Sequence, residues 1–173
     1  MNQPEMNRGP EVVVQRFIPA SPARIFRALT VATELERWLF SDVETQPHKG
    51  GMYKMRWRSA TDHSRDHDRF GRYLEIEHDR KVVFEWKGDP SQNLGLGDIQ
   101  STVVTITLTP EGGGTMVKLV HSGWPTDTSG QDWAGKHHDG WSFYLENLAN
   151  YLTSGPDLRG SRHGQKVKSP VAG

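Results

Sequence analysis

The chain has 173 residues, the size of one domain with modest tails, since single domains most often have about 100–200 residues. Its 21 lysine and arginine residues balance 21 aspartate and glutamate residues, so no overall charge draws it to nucleic acid or to an anionic membrane. The absence of cysteine excludes disulfides, thiolate nucleophiles and thiolate metal sites.

The sequence carries no sign of a membrane or export segment. No apolar run approaches the ~20 residues that span a bilayer, and the opening MNQPEMNRGPE lacks the apolar core of a signal peptide. We therefore expect a soluble cytoplasmic protein without membrane insertion.

Both ends of the chain are predicted to be flexible, at residues 1–10 and 154–173. The C-terminal segment combines Gly, Pro, Ser and Lys with almost no large apolar residue, a composition that cannot repay the entropy of ordering. After Asp157 it contains four basic residues and no acid. We expect a solvated basic tail there and one folded domain over residues 11–153.

A strand and two short helices are the first predicted elements. Val12–Ile18 is rich in β-branched residues and stops at a proline, which predicts a strand. Ser21 and Pro22 then supply an N-cap and a proline at the first helical position. Thr33 is predicted to cap a second short helix that ends near Leu39.

Alternating apolar residues dominate the middle of the chain. Tyr53, Met55 and Trp57 fall on one face of a predicted strand that begins at Met52. The glycine run Gly112–Gly114 predicts the turn of a hairpin. Further strands are predicted at Phe70–Glu77, Lys81–Lys87, Thr102–Thr109 and Thr115–Ser122.

One long amphipathic helix is predicted at the end of the domain. Trp141, Leu145, Leu148 and Leu152 recur at the spacing of one helix face. Such a helix can cover the apolar face of an antiparallel sheet, which predicts the α+β class.

Four segments carry a resemblance to a known family: IPASPARIFRALTVATELERWL, FGRYLEIEHDRKVVFEW, STVVTITLTPEGGGTMVKLVHSGWP and HHDGWSFYLENLANYL. Over about residues 11–153 the chain resembles the activator of heat shock protein 90 ATPase homologues, a family of the START-like (SRPBCC) helix-grip superfamily. The resemblance implies a curved antiparallel sheet of six or seven strands around the long C-terminal helix, with a cavity that holds apolar ligands in many members. Function does not follow from this fold alone.

His121 is the polar residue that stands out on an inward face. It shares the phase of Val117 and Leu119, so it should point between the sheet and the helix. Two hypotheses remain open for it: a structural residue that holds the turn Ser122–Pro125, or a residue that contacts ligand or transfers a proton near neutral pH.

The tryptophans suggest a pocket when they are taken together. Each one alone is more simply a core residue, yet several fall on predicted inward faces. Trp124 and Trp133 are predicted to lie in the loop before the last helix, where they could close a cavity mouth. The residues predicted to bind ligand are Trp38, Trp57, Trp86, His121, Trp124 and Trp141.

Histidine clusters raise the alternative of a metal site. His63 and His67 have helical spacing but lie in a hydrophilic stretch without an apolar stripe. His137, His138 and Asp139 are better explained as the first turn of the last helix, where an acid favours the helix dipole. We expect no metal and no cofactor.

Enzymatic groups are sparse. No nucleophile elbow or phosphate-binding glycine loop occurs. What remains is proton transfer of the cyclase or aldolase type, with His121 as base and Arg56, Arg72 or Glu75 as partner.

We expect first a module that binds a small apolar or aromatic molecule, second a chaperone-associated domain, and third a cavity enzyme. A homodimer through a strand edge or the loop around Trp124 is a further expectation.

Overall fold

The computed structural model describes residues 9–89 and 101–167. Its strands are β1 (Val12–Ile18), β2 (Asp42–Thr45), β3 (Met52–Trp57), β4 (His67–Glu77), β5 (Lys81–Gly88), β6 (Thr102–Glu111) and β7 (Gly114–Ser122). Its helices are α1 (Pro22–Thr30), α2 (Ala32–Trp38), α3 (Thr128–Leu152) and α4 (Arg159–His163), with a 3-10 turn at His63–Arg65.

The strands form one antiparallel sheet in the order β1-β7-β6-β5-β4-β3-β2. Neighbours in the chain are neighbours in the sheet from β2 to β7, while α1 and α2 carry the chain from β1 at one edge to β2 at the other. Gly112 and Gly113 take positive φ in the β6–β7 turn, a conformation that favours glycine. The predicted α+β helix-grip class is confirmed.

The core lies between the inner face of the curved sheet and α3. On β7, Val117, Leu119 and His121 are buried, as their shared phase predicts. On α3, Leu145 and Leu148 are fully buried in the same core. Period-two burial on the strands and period-3.6 burial on the helix thus meet in one apolar layer.

Helix α3 begins earlier than predicted. The Asp127 side chain accepts a hydrogen bond from the Gly130 amide at 3.1 Å and so caps a helix that starts at Thr128. Trp133 therefore lies in the helix and not in a loop, and His137 is in its third turn. The apolar stripe alone could not locate this start, because the first turns are glycine-rich and polar.

Near the second edge strand one local prediction is wrong and one strand was not predicted. Helix α2 begins at Ala32 after Val31, which makes no side-chain cap bond, so Thr33 is not the cap. The short strand β2 was not predicted, since four residues of mixed polarity give no clear alternation. It pairs with β3 and forms the sheet edge.

The C-terminal segment differs from the predicted solvated tail. The Arg159 side chain is 1% exposed and forms an ion pair with Asp157 at 2.8 Å. Its guanidinium also donates to main-chain oxygens at the end of α2, at Glu36, Arg37, Leu39 and Phe40. The last carbonyls of a helix need donors, so these polar bonds order the segment together with the packing of Leu158 on the core. Residues 1–8 and 168–173 of the predicted tails lie outside the described residues.

Among the helices of the described residues, none has an apolar stretch long enough to cross a bilayer.

Candidate functional site

A cavity of about 310 Å³ lies between the sheet and one end of α3. This is at the lower end of the ~300–1,000 Å³ that is usual for small-molecule sites. Its walls are mainly aromatic. The aromatic lining residues are Phe40, Trp57, Trp86, Trp133, Trp141 and Tyr144.

Helix α3 supplies one wall through helical spacing. Trp133, His137, Trp141 and Tyr144 follow one another at intervals of four, four and three residues, so they share a face. Gly140 lies in the same wall, and a Cβ placed on it would meet no atom within 4 Å. The missing side chain at Gly140 leaves room in the cavity.

The opposite wall comes from β3, β4 and β5. Trp57 and His67 are paired across β3 and β4, and their rings stack with centroids 5.3 Å apart and an interplanar angle of 17°. Trp86 on β5 packs against Trp141 of the helix at 5.1 Å. Phe40, which follows α2, lies 6.0 Å from the rings of both Trp86 and Tyr144. The aromatic side chains thus hold each other in place around the open space.

His121 lies behind this wall, fully buried and hydrogen-bonded at each ring nitrogen. The indole of Trp141 donates to Nδ1 at 3.0 Å, and Nε2 lies 2.6 Å from Oγ1 of Thr102. The Thr102 hydroxyl donates onward to the main-chain oxygen of Trp86 at 3.1 Å. Trp124 donates to the main-chain oxygen of His121 at 3.2 Å.

These bonds assign the protonation state of His121. An indole N–H is only a donor, so Nδ1 accepts and the single proton of the neutral ring is on Nε2, where it is donated to Thr102. Burial lowers the pKa of His121 well below its ordinary 6.5, and nearby His137 and Arg69 lower it further. A neutral imidazole with both nitrogens occupied has neither an open lone pair nor a spare proton for chemistry.

His137 is arranged in the same way at the cavity wall. Trp86 donates its indole N–H to Nε2 of His137 at 3.2 Å, while Nδ1 lies 2.9 Å from the main-chain oxygen of Trp133. Because Nε2 accepts, the proton lies on Nδ1 and is donated to that oxygen. Two tryptophans therefore set the tautomers of two histidines.

The predicted binding residues do not all come together. Trp57, Trp86 and Trp141 line the cavity. Trp38 lies elsewhere in the core, where it donates to the main-chain oxygen of Ala28 at 2.9 Å. Trp124 is buried beside the ring of His121 at 4.5 Å, so both are one layer behind the lining.

Several lining residues were not predicted. Extending the helical stripe from Trp141 toward the N-terminus would have found Trp133 and His137, since the interval of four continues. Arg65 and His163 lie in a 3-10 turn and in α4, which no periodic pattern reveals. The charged lining residues are Arg65, Arg69 and Lys136, and His67, His137 and His163 are also in the lining.

The side chains suggested as partners in proton transfer are not in this cavity. Arg56 lies 4.0 Å from Asp68 and Glu75 lies 3.2 Å from Lys81, both in partly exposed ion pairs. Arg72 is exposed. None of the three lines the cavity with Trp57 and Trp86.

In the described ranges, 9–89 and 101–167, no group of three or more His, Asp or Glu side chains could hold a metal ion. His63 is exposed beside Asp66, at 3.3 Å, while His67 turns toward the cavity. The two histidines with helical spacing thus point to different surroundings.

Comparison with known proteins gives a family and a fold. The family described as Activator of Hsp90 ATPase homolog 1-like protein matches residues 19–153. None of the curated protein sequences matches this chain. Protein MLL2253 from Mesorhizobium loti is 24% identical with a TM-score of 0.70, covering 84% of this chain and 98% of its own.

Two further solved structures are similar. Protein CV1439 from Chromobacterium violaceum is 25% identical, with a TM-score of 0.68, covering 85% of this chain and 98% of its own. The Aha1 dimer from Colwellia psychrerythraea, solved in solution, is 20% identical with a TM-score of 0.63, covering 83% of this chain and 96% of its own. The likeness to these structures supports the helix-grip fold.

Proposed function

This chain belongs to the Activator of Hsp90 ATPase homolog 1-like family, and we propose that it is a module that binds a small apolar or aromatic molecule in the cavity beside α3. The observation that carries the proposal is the aromatic lining of an open space of about 310 Å³. Pockets lined by aromatic side chains with a few polar groups are the usual form of small-molecule sites.

The packing around the cavity supports binding without large rearrangement. Trp86 and Trp141 are almost fully buried and are anchored by hydrogen bonds to His137 and His121, respectively. Aromatic rings that are already held in position lose little freedom when a ligand stacks on them. The role proposed for His121 is therefore to hold Trp141 in the wall, and not to touch the ligand.

Native mass spectrometry of the purified protein tests whether a small molecule co-purifies. A second measurement uses N-phenyl-1-naphthylamine, a neutral aromatic dye whose fluorescence rises in apolar surroundings. We expect saturable binding with one dye per chain. Absence of a saturable signal with the dye, together with a native mass equal to that of the chain alone, would contradict the proposal.

Chaperone association is the second proposal, and family membership alone favours it. Its test is the ATPase rate of a heat shock protein 90 in the presence of the purified protein. We expect stimulation that saturates with concentration. An unchanged rate, with no capture of the chaperone in a pull-down, would remove this role and leave the small-molecule proposal untouched.

Self-association is proposed at the β1 edge of the sheet. The side chains of Val13 and Phe17 on this edge strand are 42% and 41% exposed. Edge strands with exposed apolar side chains are prone to pairing with another chain. Sedimentation equilibrium of the wild type and of Phe17→Lys tests it, and a wild type that remains monomeric at all concentrations would contradict it.

A further inference from the structure

The cavity has a charge that its aromatic walls do not explain. Arg65, Arg69 and Lys136 line it, and among the described lining residues there is no aspartate or glutamate. The protein as a whole has equal numbers of basic and acidic residues. Arg65 and Lys136 therefore place positive charge at the mouth of the cavity.

Each of these cations lies over an aromatic ring of the site. The guanidinium of Arg65 is 5.4 Å from the ring centroid of Trp57, and the ammonium of Lys136 is 4.5 Å from that of Trp133. Arg69 lies over Trp86 at 5.5 Å. Such contacts orient a cation through the ring quadrupole but leave its charge in place.

The surroundings make this charge effective. The walls beside Arg65 and Lys136 are aromatic, and electrostatic interactions are stronger beside apolar surfaces from which water is excluded. Arg65 and Lys136 are exposed at the mouth, and neither forms an ion pair with a carboxylate of residues 9–89 or 101–167. The pKa of His163, another lining residue, is lowered by burial and then by Arg65 and Arg162.

We propose that the ligand of this cavity is an organic anion, with an aromatic or apolar body among the tryptophans and a carboxylate or similar group beside Arg65 and Lys136. This inference rests on the proposed small-molecule function and adds the charge of the ligand to it. A carboxylate accepts two hydrogen bonds from a guanidinium in one plane, which a neutral group cannot match.

Two probes of the same shape separate charge from apolar binding: 2-naphthoate and 2-naphthamide. Calorimetric titration at pH 7.5 and low salt should give a dissociation constant at least about tenfold lower for the naphthoate, equal to about 1.4 kcal/mol. The preference should shrink in ~0.5 M sodium chloride, because salt screens exposed charges. The naphthamide constant should change little with salt.

Two substitutions test whether cations at the cavity cause the preference for an anion. Arg65→Gln and Lys136→Gln alter exposed side chains, so both should fold, as circular dichroism will verify. Each should weaken naphthoate binding several-fold and leave naphthamide binding unchanged. The matched controls are Arg80→Gln and Lys118→Gln, which remove exposed cations that do not line the cavity. They should change neither affinity.

The outcomes separate this inference from the proposed function. Equal binding of the two probes would overturn the anion preference and leave small-molecule binding standing. Binding of neither probe, together with no dye binding, would overturn both. A naphthoate preference that falls equally in the control variants would show a general charge effect and would overturn the assignment to Arg65 and Lys136.

Discussion

The indole nitrogen of Trp141 lies 3.0 Å from Nδ1 of His121, which joins the long helix to strand β7 through the core. Because the indole can only donate, the bond requires an imidazole that is unprotonated at Nδ1. It also holds the ring of Trp141 as a wall of the cavity. A buried polar pair behind the site is thus connected to an aromatic wall that also packs against Trp86.

Replacing His121 by Asn should destabilise the protein without emptying the site. The shorter amide cannot serve both Trp141 and Thr102, so a buried polar group loses its partner, at a cost of roughly 1–3 kcal/mol. Urea unfolding measures the loss. Dye affinity of the folded variant should stay near the wild-type value, because packing against Trp86 still holds the ring of Trp141 in the wall.

The control for this substitution is His138→Asn, on the exposed side of α3. It should change the free energy of unfolding by less than about 0.5 kcal/mol. A His121→Asn variant as stable as this control, or one that folds normally but loses dye binding, would contradict a structural role.

Stability should fall as the pH drops below 6.5. The pKa of His121 is far below its ordinary 6.5 in the folded protein, so between the folded pKa and 6.5 the unfolded chain binds the extra proton. Unfolding is therefore favoured by acid, at up to about 1.4 kcal/mol for each pH unit. Above pH 6.5 this contribution is fully present.

The comparison of wild type with His121→Asn at pH 7.5 and 5.5 isolates this histidine. His163, whose pKa is also lowered, should contribute to the loss in both proteins. The wild type should lose more stability than the variant over this range. Equal losses in the two proteins would show that His121 is not the group that titrates.

Arg159→Met should be strongly destabilising although the residue lies in a segment of tail-like composition. Its guanidinium bonds Asp157 and main-chain oxygens that end α2. Without the guanidinium, buried main-chain oxygens after α2 lose a donor, and a buried polar group left unsatisfied costs about 1–3 kcal/mol. Arg162→Met is the control, because its ion pair with Glu146 is exposed and is worth at most about 1 kcal/mol. Thermal unfolding of both variants measures the difference in stability. Similar melting temperatures for Arg159→Met and Arg162→Met would contradict a structural role of Arg159.

The sheet and the long helix could be predicted because their burial follows simple periods. Tyr53, Met55 and Trp57 alternate with polar residues, and the structure buries all three. Arg159 and Gln165 could not be foreseen, because each is buried through hydrogen bonds to the turn after α2. No hydrophobic pattern records such a contact over more than a hundred residues.

The site was only partly predictable for the same reason. Phase places Trp57, Trp86 and Trp141 on inward faces, but it does not say which inward residues border empty space. Trp38 is equally inward but borders only a small void of about 20 Å³. The cations at the cavity come from a 3-10 turn, a strand and the early part of α3, which only the folded chain brings together.

The two glycines in α3 offer a test of the cavity that leaves its walls intact. Gly140 lines the cavity and Gly135 is exposed, and a Cβ on either would meet no atom within 4 Å. Neither has a positive φ, so alanine at either position should stabilise the helix by about 0.5–1 kcal/mol. The alanine variants establish that side chains are tolerated there.

Substitution by leucine should affect dye binding at Gly140 but not at Gly135. Gly140→Leu should place its side chain in the space of about 310 Å³ and weaken binding of N-phenyl-1-naphthylamine at least about tenfold, because ligand and side chain compete for the same volume. Gly135→Leu adds the same side chain to the outer face of the helix and should leave dye affinity unchanged. Fluorescence titration of both folded variants gives the result, and equal affinities would place the dye outside this cavity.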